Sequence, residues 1–311
     1  MQKLKLLVTG ASGFLGRNFL LSNLSEYEIV ALYNSDSNFV DWTISNNLQI
    51  TTLKVDLLQD SDLNILKKQH KHFDACLYLA ANGDPALSAS QVSFDLQRNT
   101  LMLVKLLETV TFSKFVYFSS GAVYDGLQGK VNPASTLKPL LPYSISKLTS
   151  ERYIEYFCKN RGSISRYSIV RFFGAYGPYE ANRKIYGRLL KNFAIDRNQN
   201  FVIRGDGNNY IDAMYIDDTI SAISLVLKDN EAPNLFDLTS ANPIRLTDLV
   251  VEAAMTFGIV PTIQYQGEVP EYISFQSNDQ TFFNHYSFLP SFSLKAGFIK
   301  FYEFINSKGP K

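Results

Sequence analysis

The chain carries only two cysteines and three histidines in 311 residues. Cys76 and Cys158 cannot build a disulfide framework and form no C-x-x-C pair, so they read as buried thiols of a reducing compartment. His70, His72 and His285 show no ligand spacing with each other or with the thiols, and no metal is expected. An excess of charge of one sign is also missing. Lys plus Arg number 30 and Asp plus Glu 29, a net +1, which leaves no broad basic field to gather nucleic acid or an anionic membrane. Long apolar runs are absent as well. The opening "MQKLKLLVTG" loses its apolar character at Gly10, too early for a secretory leader or a membrane span. A cytoplasmic protein with no nucleic-acid partner and no membrane association is expected.

What is present is ordinary globular material, 46% apolar and 19% charged, in a length that allows a large core and two domains. The first half alternates strand-like and helix-like stretches. "LKLLVTG", "YEIVALYN", "ITTLKVDL", "FDACLYLAA", "KFVYFSS" and "YSIVRFF" read as strands. "GFLGRNFLLSNL", "DLNILKKQ" and the long "VSFDLQRNTLMLVKLLETV" read as helices. Such alternation implies right-handed crossovers and an α/β fold with a doubly wound parallel sheet of the Rossmann type. Beyond residue 172 the pattern loosens: "GDGNNYIDAMYIDD" is loop-like and "IDDTISAISLVLKD" is a helix with aspartate at its N-cap. The expected division is a dinucleotide-binding domain over 1–172 and a smaller α/β substrate lobe over 173–311, with part of 212–240 returning to the first.

Two local signals carry chemistry. "VTGASGFLG" places Gly10, Gly13 and Gly16 between a strand and a helix, where backbone can approach a pyrophosphate and a helix N-terminus offers free N–H groups. "PYSISKLTSE" places Tyr143 and Lys147 four residues apart, on one face of a helix. A tyrosine ionises near pH ~10, too high for a base at neutral pH, and a neighbouring ammonium together with a positively charged ring lowers that value.

"TGASGFLG", "YLAA", "FSSGAVYD", "YSISK", "VRFFGAYGP" and "GDGNNYIDAMYIDD", in this order and spacing, resemble the extended short-chain dehydrogenase/reductase superfamily. The similarity is to its NAD-dependent epimerase/dehydratase branch acting on nucleotide sugars, and it runs through essentially the whole chain. It implies catalysis by Ser120, Tyr143 and Lys147, with Ser119 as the alternative serine. It implies cofactor contacts from Gly10, Ser12, Gly13, Phe14, Leu15, Gly16, Tyr33, Asn34, Asp56, Leu57, Leu79, Ala80, Ala81 and Asn99, besides Tyr143 and Lys147. Asn99 could equally be structural. The cofactor is NAD or NADP. The second strand ends in Tyr33 and Asn34 without a carboxylate, Asp36 coming too late, which leans towards NADP although no arginine is there to meet a 2′-phosphate.

The resemblance also narrows the reaction. Sugar 4,6-dehydratases carry an Asp-Glu pair where this chain has Gly121 and Ala122, and no Cys–His pair suited to double epimerisation is evident. A nucleotide-sugar 4-epimerase or 4-keto reductase remains, with substrate contacts from Asn82, Ser120, Gly174, Arg183, Arg188 and Ile211. Gly174 and Ile211 stand where relatives carry Asn and a diphosphate-binding Arg, so a reductase of a small non-nucleotide ketone or aldehyde is the alternative. A catalytically silent dinucleotide-binding regulator is a third. Relatives pair as homodimers through the helices around Asn99 and Tyr143, and the same is expected here.

Overall fold

The computed structural model describes residues 3–22, 25–268 and 275–307. Two compact units emerge, one of Met1–Asp125, Leu137–Phe172 and Ile223–Phe236, the other of Gly126–Thr136, Phe173–Ala222 and Asp237–Lys311. The assignment of residues 126–136 to the second unit has a local cause. Gly129–Val131 pairs in parallel with Phe275–Ser277, a partner nearly 150 residues away that no local pattern announces.

The first unit is built on a seven-stranded sheet. Its strands are β1 (Leu4–Thr9), β2 (Tyr27–Tyr33), β3 (Thr51–Lys54), β4 (His72–Tyr78), β5 (Thr111–Ser120), β6 (Ile164–Phe172) and β7 (Leu235–Leu238), in the spatial order β7-β6-β5-β4-β1-β2-β3. β1 to β6 are parallel throughout. At the edge, the amide of Ile169 donates to Asn234 O and that of Phe173 to Leu238 O, an advance of four residues on both chains that gives β7 the same direction. This is the doubly wound order, which reverses direction beside β1 and opens a crevice at the carboxyl ends of the strands. β1 is fully covered from Leu6 to Thr9, as a central strand with helices on both faces must be.

One apolar cluster fills the space on one side of the sheet. Leu7, Val30, Cys76 and Phe115 come from strands, and Leu63, Leu66, Leu103, Leu106 and Ile154 from helices. A charged residue also sits deep in this unit. The Lys114 side chain is 4% exposed and its ammonium donates to the carbonyls of Val226 and Asp229, satisfying the open end of the helix Ile216–Lys228.

The elements differ from the sequence reading in three places. The helix expected across 92–110 is continuous but widens at Gln97–Leu101 into a single π-type turn between Val92–Leu96 and Met102–Thr109. The carbonyl of Asn99 within it accepts from the Ser150 hydroxyl at 2.8 Å. Asp217 and Asp218 lie inside the first turn of Ile216–Lys228 rather than at its N-cap, and Asp218 instead accepts from the amides of Ser291 and Phe292. The stretch read as loop holds two short strands, Tyr210–Ile211 and Met214–Tyr215. Among the described residues no helix is long and apolar enough to cross a membrane.

Candidate active site

The glycine-rich turn joins β1 to the helix Phe14–Leu21. Gly10 adopts φ +64°, and a Cβ there would come within 2.8 Å of Ala80 N, so only glycine lets the β1 and β4 ends meet this closely. Thr9 completes the junction, its hydroxyl accepting from the amides of Leu79 and Ala80 at 3.1 Å each. Gly13 occupies the N-cap without a side-chain cap bond, leaving the first-turn N–H groups of Phe14, Leu15 and Gly16 for a ligand.

A cavity of about 490 Å³ opens beside this turn. Of the residues expected at the cofactor, Gly10, Ser12, Gly13, Tyr33, Asn34, Leu57, Leu79, Ala80 and Ala81 line it, and so does Asn82, which was expected at the substrate. Phe14, Leu15, Gly16, Asp56, Asn99, Tyr143 and Lys147 do not. Asp56 Oδ1 accepts from the Leu58 amide and pairs at 3.2 Å with Arg98, which does line the cavity. Asn99 acts from behind the wall, its Oδ1 accepting from the Asn82 amide at 2.9 Å. Phe94, Arg98 and Met102 line the cavity without having been expected. Their signal was present as one face around the Asn99 helix, but the widened turn shifts which positions share that face. The sequence reading also overlooked Arg17. Its Nη2 lies 2.6 Å from Asp36 Oδ2, and its guanidinium stacks over the Trp42 ring at 4.4 Å.

Ser120 ends β5 and Tyr143 opens the helix Pro142–Tyr156, in which proline stands at the first helical position. The Ser120 hydroxyl accepts from the Ala122 amide at 3.1 Å and lies near enough to the Tyr143 phenol to lower its pKa against the larger effect of burial. Ser119, the alternative serine, is buried and its hydroxyl donates to Glu151 Oε1 at 2.6 Å. Lys147, 4% exposed, donates to Phe118 O at 2.8 Å, and its ammonium lies 4.9 Å from the Tyr117 ring centre and 5.9 Å from that of Tyr143. One turn further on, Glu151 receives Arg171 through two bonds, at 3.1 and 2.8 Å, while Arg171 Nη1 donates to the Tyr124 hydroxyl.

The protonation states run against the simple expectation. Burial pushes the Tyr143 phenol up to about 12; the Ser120 bond opposes this and the Asp95 carboxylate reinforces it. Burial pulls the Lys147 ammonium down to about 8, with Glu151 and Asp95 resisting. Desolvation therefore outweighs the Tyr–Lys proximity, and the phenol is neutral at pH 7 in the cofactor-free protein.

The remaining expected residues lie in the second unit and are not brought together. Ile211 lines a cavity of about 210 Å³ with Tyr176, Tyr186, Tyr215, Phe292 and Glu252. Arg188 lines another, of about 430 Å³, with Lys191 and Asn198, and sits over the Phe201 ring. Arg183 is exposed. At Gly174, φ +156°, a Cβ would meet Ala213 Cβ at 3.1 Å and Asp212 O at 3.2 Å, so a side chain here would press these neighbours back by a few tenths of an ångström. His70 and His72 lie at the amino-terminal start of β4, the end of the sheet away from Gly10, and His72 bonds Thr111 and Ser113. Cys76 is buried in β4, and Cys158 is only half-buried, contrary to expectation. Among the described residues no cluster of His, Cys, Asp and Glu could hold a metal ion.

A doubly wound sheet with a glycine turn at its switch point and a Ser–Tyr–Lys set at the same strand ends defines a dinucleotide-dependent oxidoreductase or isomerase. The chain belongs to the NAD dependent epimerase/dehydratase family, whose model matches residues 6–238, and it is an NAD-dependent enzyme of that kind. It is 27% identical over 266 residues to an uncharacterized UDP-glucose epimerase, YtcB, of Bacillus subtilis, covering 79% of this chain and 81% of the relative. A dTDP-D-glucose 4,6-dehydratase of Dictyostelium discoideum is 28% identical over 258 residues, 75% of this chain and 58% of that protein. In fold, the UDP-glucuronic acid 4-epimerase of Bacillus cereus, solved with UDP-glucuronic acid and NAD, superposes with a TM-score of 0.85 at 24% identity, over 98% of this chain and all of the other.

The lowered Lys147 value carries a prediction. If its ammonium holds the cofactor ribose, dinucleotide affinity in calorimetry falls as pH rises through about 8. Lys147→Met removes that dependence. An affinity unchanged between pH 7 and 9.5 would contradict the assignment.

Proposed function

We propose that the protein is a nucleotide-sugar 4-epimerase, working by hydride removal and return at one sugar carbon. The observation that carries this reading is the placement of the Ser120 hydroxyl beside the Tyr143 phenol, with Lys147 one turn along the same helix. Bound NAD supplies a hydride acceptor and a positive charge. Against it, Tyr143 Oη takes the proton of the sugar hydroxyl, Ser120 Oγ holds the oxygen that becomes a carbonyl, and Lys147 favours the phenolate. The bound dinucleotide would give back the hydride it accepts, and Tyr143 would return the proton to the sugar oxygen, so the cycle would carry no net oxidation.

Relatives named as dehydratases share the fold, but water elimination needs further acid and base groups beside the serine. Here the turn after Ser120 begins with Gly121 and Ala122, which offer none. A 4-keto reductase would use the same three residues and differ in releasing its dinucleotide after each hydride transfer. A small-carbonyl reductase is the second reading, favoured by the aromatic cavity around Ile211, whose lining holds Glu252 and no cation. The cytoplasm suits this reading, because Cys76 and Cys158 are both free thiols.

For the cofactor, the earlier lean to NADP gives way to NAD. Both guanidinium groups near the adenosine end are already paired, Arg17 with Asp36 and Arg98 with Asp56, which supports a ligand without a 2′-phosphate. A homodimer is part of the proposal. Val92, Leu96, Leu101, Ile145, Tyr153 and Tyr156 are exposed on the two packed helical segments, an apolar face that a second copy would cover.

Tyr143→Phe is expected to lower turnover of a UDP-sugar at least ~100-fold while dinucleotide binding persists; full activity would end the mechanism. Asp36→Asn frees Arg17 and is expected to raise NADP affinity relative to NAD, read by competition titration. Equal preference before and after would show that the pair lies away from the ribose. Sedimentation at micromolar concentration should give a dimer, and Leu96→Glu a monomer.

A further inference from the structure

One buried carboxylate acts on the site from outside its cavity. Asp95 lies on the segment Val92–Leu96, which packs against the Tyr143 helix, and it is 0% exposed. Its Oδ1 accepts from Ser88 Oγ and from Asn99 Nδ2, each at 2.5 Å. Asn82 closes the ring, its amide donating to Asn99 Oδ1 and its Nδ2 to Ser88 Oγ, both at 2.9 Å. Oδ2 is sealed from solvent and has no hydrogen-bond partner among the described residues. A packed protein seldom leaves such an atom unless its charge or its lone pair has a use.

The other charges around the Tyr143 helix are already met. Glu151, on the helix itself, is neutralised by Arg171 from β6. Asp125, at the end of the turn after β5, accepts from the amides of Leu140 and Leu141 and from the Ser144 hydroxyl. Arg98 pairs with Asp56, and Asp84 caps the helix Pro85–Ser90 through the amides of Ala86 and Leu87. Tyr78 on β4, Tyr117 on β5 and Tyr124 in the turn face this region as buried phenols. Asp95 forms no ion pair among the described residues, and its field reaches both Tyr143 and Lys147, disfavouring phenolate and favouring ammonium.

We propose that Asp95 is a positioning residue whose buried carboxylate, adding to burial at Tyr143 and opposing it at Lys147, helps hold both groups protonated until positive charge arrives in the cofactor cavity. The Ser88–Asn99–Asn82 ring fixes that charge and, through Asn82, ties it to the cavity wall. Burial and this charge together leave the base silent in the empty protein, and an oxidised, cationic ligand in the cavity opposes both. The idea rests on Tyr143 being the base, but its electrostatic content can be measured without turnover.

The experiment is an NMR pH titration of the cofactor-free full chain labelled at lysine Cε and aspartate Cγ, with Lys147→Met assigning the Lys147 signal. The wild-type Lys147 midpoint is expected near the value of about 8. In Asp95→Asn, which keeps an oxygen for Ser88 and Asn99, it is expected to fall by on the order of one pH unit, the scale of one charge at this range. Asp95→Glu, which retains the charge, is expected to titrate close to wild type. An unmoved midpoint in a folded Asp95→Asn overturns the proposal. So does a wild-type Asp95 carbon that shows the protonated shift at pH 7, a result that needs no Asp95 variant to fold. Full activity in Tyr143→Phe would instead remove the base assignment and leave the measured coupling standing.

Discussion

The geometry of the candidate site depends on the buried pair of Glu151 and Arg171. Both side chains are 2% exposed, and burying two charges costs several kcal/mol each unless attraction and hydrogen bonds offset it. The offset here is nearly complete. Glu151 takes Arg171 through both carboxylate oxygens and also accepts from Ser119, while the remaining guanidinium edge reaches Tyr124. One partner lies on the Tyr143 helix, another on β6 and a third on β5, so the network fixes how the helix is rotated over the strand ends. Tyr143 and Lys147, two turns and one turn earlier, inherit that rotation. The same network distinguishes the adjacent serines, since Ser119 donates into it and Ser120 lies beside the phenol.

Much of this was legible in the sequence because it depended on spacing. A glycine directly after an apolar strand, and Tyr and Lys one turn apart, gained their meaning from the other motifs that stand in order along the same chain. What was not legible depended on partners far along the chain. The Asp56 carboxylate is taken by Arg98, forty-two residues on, and it is Arg98 that lines the cavity. Arg17 was passed over at the adenosine end because its bond to Asp36 crosses from a helix to a loop. The direction of the Tyr143 shift was missed for another reason: a lysine nearby argues for phenolate, but desolvation is set by the whole fold and is the larger effect.

The second unit shows how departures from a family pattern can be mutually consistent. Glycine at 174 is accompanied by Ala213 and the Asp212 carbonyl pressed against it, and Asp212 is itself held by the Ser240 amide at 2.6 Å. Ile211 faces a wall of aromatic rings, Tyr176 and Tyr186 stacked at 4.1 Å between centres. Each sits among close neighbours, Gly174 against Ala213 and the Asp212 carbonyl and Ile211 among aromatic rings with Glu252 in the same cavity.

The widened turn at Gln97–Leu101 has a consequence for how this helix can change. A π-type turn holds one residue more than a regular turn, so the segments on either side are out of helical phase with each other. Val92–Leu96 can therefore bury a carboxylate while presenting Val92 and Leu96 outward, and Met102–Thr109 can bury Met102, Leu103, Leu106 and Leu107 in the core. The two stretches behave as separately tunable pieces of one rod. Losing a single residue in the turn would relock their phases and force the polar and apolar faces to compete for the same side.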